Sequence, residues 1–70
     1  KNTMEKRFNV FIVEDESNKA VALIGENLSE DRADRREDTA MGRIDTNNFT
    51  PYSVEVDSDE DKKYKNDLGK

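Results

Sequence analysis

The chain predicts an α+β fold: a three-stranded antiparallel sheet of order 2-1-3, built as ββαβ, with one helix packed on one face. A short C-terminal helix is an optional addition. Three observations carry this expectation. Val10 to Val13 is an unbroken run of β-branched and aromatic residues between charged flanks. Leu28-Ser29-Glu30-Asp31 is a helix-start signal, and Tyr52 to Asp57 alternates apolar with polar residues.

The first strand is read over Arg7 to Val13. Successive side chains of a strand point to opposite faces. Phe8, Val10 and Ile12 therefore claim one face, and Phe11 and Val13 the other. A strand apolar on both faces belongs in the middle of a sheet. Glu14-Asp15-Glu16-Ser17-Asn18-Lys19 then reads as a polar turn, since Ser and Asn bond their own backbone and Asn tolerates positive φ. The second strand runs from Lys19 to Gly25, with Val21 and Leu23 on one face and Ala20, Ala22 and Ile24 on the other. The short loop makes an antiparallel hairpin of the two.

Ser29 is suited to accept a hydrogen bond from an amide of the first helical turn, and Glu30 and Asp31 suit the positive end of the helix dipole. The helix is expected over about Glu30 to Arg43, followed by a loop at Asp45 to Asn48. At roughly 100° per residue, Ala33, Ala40, Met41 and Ile44 form an apolar stripe. Arg32, Arg36 and Arg43 line one side of it, with Arg35 further round. Asp31, Asp34, Asp38 and Asp45 line the other. Glu37 falls inside the stripe, where an aliphatic residue would be expected.

Tyr52, Val54 and Val56 alternate with Ser53, Glu55 and Asp57 as a half-buried third strand. Pro51 places its start there or at a sheet edge, because proline donates no ladder bond. A right-handed crossover through the helix sets this strand on the far side of the first. Residues 58–70 read either as a helix capped by Ser58, with Asp59/Lys63 and Asp61/Lys65 pairs, or as a frayed charged tail. One small domain spans residues 1–70. Lys1 to Met4 read as a tag remnant or a disordered start.

With 41% of residues charged, the chain has little apolar surface with which to offset the entropy of ordering. Lacking cysteine, it can form no disulfide, which suits a reducing cytoplasm. Seventeen acidic against 12 basic residues give a net charge of −5. Such a balance repels nucleic-acid phosphates and anionic membranes. Direct nucleic-acid binding and membrane association are accordingly not expected.

Asp57-Ser58-Asp59-Glu60-Asp61 has the alternating acids that open a calcium loop of the EF-hand type. That loop also needs glycine at its sixth place and glutamate at its twelfth. Lys62 and Leu68 stand there instead, so no metal is expected. The arginine row could meet phosphates, but Asp31/Arg35 and Arg35/Asp38 are spaced for ordinary surface pairs. No histidine, cysteine or nucleophile motif is present, and scattered carboxylates do not make acid/base catalysis. Neither an enzyme nor a cofactor is expected.

The preferred reading is a protein–protein interaction module that self-associates as a homodimer or binds a larger partner. One helix covers one sheet face, so Phe11, Val13 and Ile24 are left on the other, which needs the C-terminal segment, a second copy or a partner to cover it; the preferred reading takes them as the contact face. Arg32, Arg36 and Glu37 are expected as secondary helix contacts. The alternative rests on Asp31, Asp34, Asp38 and Asp45. Carboxylates a helical turn apart resemble, in style of charge, the small acidic inhibitors of bacteriophages and mobile elements. The resemblance implies mimicry of a phosphate backbone and blockade of a nucleic-acid-binding protein.

Overall fold

The computed structural model describes residues 6–69. The tag remnant expected over residues 1–4 lies outside them. Its elements are β1 (Phe8–Glu14), β2 (Lys19–Leu28), α1 (Glu30–Met41), β3 (Phe49–Glu55) and α2 (Asp59–Leu68). The sheet is antiparallel in the order β2-β1-β3, as expected. β1 is central, and every residue from Asn9 to Val13 is buried. The turn after it closes as read: Asn18 adopts φ 58° and its amide donates to the Glu14 carbonyl at 2.8 Å.

β2 departs from simple alternation. It extends to Leu28, three residues past Gly25, and its register against β1 shifts at three places. Val13 faces Ala20, Ile12 faces Ala22, Phe11 faces Leu23 and Val10 faces Gly25. Val21 and Ile24 are thus the extra residues of two irregularities, and an extra residue reverses which way the following side chains point. Ala20 and Leu23 consequently share a face with Phe11 and Val13. Ile24 lines the opposite face with Ile12. Placing Ile24 beside Phe11 and Val13 is therefore corrected, because the alternation is broken between them.

α1 begins where its cap predicts, with the Ser29 hydroxyl accepting from the Arg32 amide at 3.4 Å. It ends at Met41, two residues short of the expected Arg43, on Gly42. Ala33 and Ala40 are its buried residues; Met41, expected on the apolar stripe, is 50% exposed. β3 begins at Phe49, two residues before Pro51. Pro51 lies opposite Ile12 on an edge strand, where its missing N–H removes no ladder bond to a further strand.

Residues 59–68 are helical, not a frayed tail. The Ser58 hydroxyl accepts from the Asp61 amide at 3.2 Å, and three acids occupy the first turn. α2 lies on the sheet face opposite α1. There Tyr64 joins Phe11, Val13, Ala20 and Val54 in the core, with Leu23 and Leu68 packed against them. The rings of Phe11 and Tyr64 meet at 5.3 Å and 52°. The uncovered face expected around Phe11 and Val13 is therefore covered by the chain's own C-terminal helix. Phe11 is 0% and Val13 3% exposed, so neither can form part of a docking surface in the folded chain.

Candidate partner-binding groove

The α2 side is closed by polar bonds as well as packing. Asn9, in the middle of an apolar strand, donates from Nδ2 to Asp61 Oδ1 at 2.7 Å and accepts the Asn27 amide at 2.9 Å. Asp61 Oδ2 accepts the Asp57 amide at 2.8 Å and lies 3.3 Å from Lys65 Nζ. Burial alone would push the Asp61 carboxyl up. The bonds from Asn9, the Asp57 amide and Lys65 outweigh it and hold the group below the ordinary aspartate range. Further along α2, Asp67 accepts the Ala20 amide at 3.1 Å, and Lys63 Nζ donates to the Asn18 carbonyl at 2.7 Å. The Ala20 bond chiefly holds Asp67 below its ordinary value. Of the helix pairs expected, Asp61/Lys65 forms, whereas Lys63 pairs with Asp67 instead of Asp59.

This network accounts for Asp61 within the acidic run at the start of α2. Asp61 spends both oxygens on the fold, and Asp57 sits in the turn at φ 68°. Among the described residues, no group of three or more His, Cys, Asp or Glu is placed to hold a metal ion.

The α1 side is different. Between α1 and β2 runs a groove whose floor is apolar and whose rim is basic. Ile12, Ile24, Ala40 and Ile44 line a depression of about 250 Å³, rimmed by Arg36, Thr39 and Arg43. Two further depressions adjoin it and share Arg36 with it: one toward the start of α1, lined by Leu28, Arg32, Arg35 and Thr39, and one beside β2, lined by Leu23, Ile24, Gly25 and Glu26, the one carboxylate among the described lining residues. A side chain on Gly25 would narrow it, since a Cβ there would stand 2.7 Å from Leu28 Cδ1.

Arg36 donates its guanidinium to the Ile24 carbonyl, which ties the helix to β2 across the groove. Arg32, Arg35 and Arg43 are exposed. The surface pairs expected for Arg35 with Asp31 and Asp38 do not form, and none of these three guanidinium groups has a carboxylate within 4.0 Å among the described residues. Asp31, Asp34 and Asp38 are exposed as well. Asp45 instead shapes the loop after α1, accepting from the Asn47 amide at 3.1 Å and Asn48 Nδ2 at 2.6 Å.

The residues singled out from sequence are thus divided. Ile24, Arg32 and Arg36 come together in the groove, while Phe11 and Val13 lie beneath α2. Glu37 leans away from the arginines and accepts a hydrogen bond from the Ser53 hydroxyl of β3. That bond explains a carboxylate within the apolar stripe. Ile12, Leu28, Thr39 and Ile44 were not anticipated as lining residues, since only the crossing of α1 over β2 joins them.

No protein-family model, curated protein or solved structure matches the chain. Among the described residues, no helix is long and apolar enough to cross a membrane.

Proposed function

We propose that this chain is a non-enzymatic protein–protein interaction module and that it engages its partner through the groove between α1 and β2. The observation that carries the reading is the combination of an apolar floor with three arginines that, among the described residues, have no carboxylate within 4.0 Å, in a chain with an excess of acids. Interface centres favour apolar and arginine side chains over lysine and the acids. A reducing, cytoplasmic setting suits the cysteine-free composition.

The alternative is an acidic inhibitor that imitates a nucleic acid. Asp31, Asp34 and Asp38 favour it, since they remain exposed along one flank of α1. Site-specific photo-crosslinking in cells that make the protein separates the two. A crosslinking side chain replaces either Thr39 in the groove or Asp38 on the acidic flank. Protein adducts from position 39 that vanish with Arg43→Glu are the expected result. Adducts from position 38 alone would favour the inhibitor, and silence at both positions would overturn the groove reading.

A further inference from the structure

Resting on the groove reading, we infer that the partner presents an acidic amphipathic helix that lies along α1. It does not present a strand that extends β2. An added strand needs the free edge of β2. Two backbone groups of that strand are already bonded: the Ala20 amide to Asp67 and the Ile24 carbonyl to Arg36. Its register is also broken at three places, and irregular edges resist pairing. The groove therefore offers side chains more than backbone.

Those side chains have a definite order. Ile12, Ile24, Ala40 and Ile44 give an apolar floor, and Arg32 and Arg43 stand toward its two ends. α1 is 12 residues long, which at 1.5 Å per residue is about 18 Å. A partner helix of about three turns matches that length. Its apolar residues at i, i+3 or i+4, and i+7 would face the floor. Carboxylates on its flanks would meet the exposed guanidinium groups, which form bidentate bonds with them.

Nucleic acid fits this surface less well. Phosphates make no use of an apolar floor and would leave Ile12, Ile24, Ala40 and Ile44 uncovered. The acidic flank of a second copy is a poorer fit too. Of the apolar stripe beside Asp31, Asp34 and Asp38, Ala33 and Ala40 are buried within the chain's own fold, which leaves Met41 as the exposed apolar group there, too little to fill the groove.

The test uses the full chain and three fluorescent probes. One is a 14-residue peptide of leucines at helical spacing flanked by glutamates. The second has the same composition in strict alternation, and the third is a single-stranded oligonucleotide of equal charge. Binding is read by anisotropy and by amide shifts. The helical probe is expected to bind about tenfold more tightly than either control, with shifts at Ile24, Leu28, Thr39 and Ile44. The double variant Arg32→Glu/Arg43→Glu is expected to weaken it by about tenfold or more. Equal binding of the alternating peptide, tighter binding of the oligonucleotide, or concentration-dependent groove shifts without any probe would each overturn the inference. Groove crosslinks to protein alongside such a result would leave the interaction-module reading standing, so the two can fail separately.

Discussion

Asp61 shows how one side chain can decide whether a helix docks. Its carboxylate is buried, yet each oxygen has a donor, and the donors come from β1 and from the turn before α2. Asp61→Asn keeps the volume but puts an amide NH₂ where an acceptor is needed. Buried donors left without partners cost about 1–3 kcal/mol each. A loss of about 2 kcal/mol in urea unfolding is therefore expected, against about 0.5 kcal/mol or less for the exposed Asp59→Asn. The same carboxyl sets a pH dependence. Its folded pKa lies below the unfolded one, so the unfolded chain binds more protons in acid. Its stabilisation is fully present above the unfolded aspartate value of about 3.9 and is lost as pH falls through the lower folded value. Asp67 has the same sign. Asp61→Asn should flatten the acid limb of a stability-versus-pH curve. An unchanged limb would show that Asp61 does not carry it.

At the scale of elements, α2 matters most because it closes the sheet face that α1 cannot reach. Its apolar contribution is small, chiefly Tyr64 with Leu68, so each contact counts. Tyr64 is 2% exposed against the ring of Phe11, whereas Tyr52 on the same face is 47% exposed. Truncating a buried aromatic costs about 3–5 kcal/mol. Tyr64→Ala should thus destabilise severely and expose Phe11 and Val13 to a hydrophobic dye. Tyr52→Ala should cost about 1 kcal/mol or less. Comparable midpoints for the two variants would mean that α2 does not seal this face. α1 plays the complementary part. It buries only two alanines, ties itself to β3 through Glu37 and to β2 through Arg36, and keeps its arginines exposed.

For the whole molecule, the outcome is a sheet with both faces covered and both edges obstructed. β2 is irregular and bonded by side chains, and β3 carries Pro51. Long open edges invite pairing between copies, and these features oppose it. The free protein is accordingly expected to scatter light as a monomer of 8.1 kDa at tens of micromolar. A stable dimer in that range would contradict this prediction. The homodimer expected from sequence drew its motive from the Phe11 and Val13 face, and α2 now supplies the cover that a second copy would have given.

Local pattern carried much of this architecture. The run from Val10 to Val13 marked the central strand, Ser29 marked a helix start, and the polar turn after Glu14 marked the hairpin; Ser58 offered a second helix start, which local pattern left open against a frayed tail. Each follows from the preferences of neighbouring residues for one backbone shape. Tertiary structure decided which faces stayed open. The extra residue at Val21 changed the direction of Leu23 and Ile24 relative to Ala20, and a strand has no local signal for an irregularity that its partner imposes. The covering of Phe11 depended on bonds such as Asn9 to Asp61, between residues 52 positions apart. A groove between a helix and a strand exists only once they cross, so its lining could be assembled only by the folded chain.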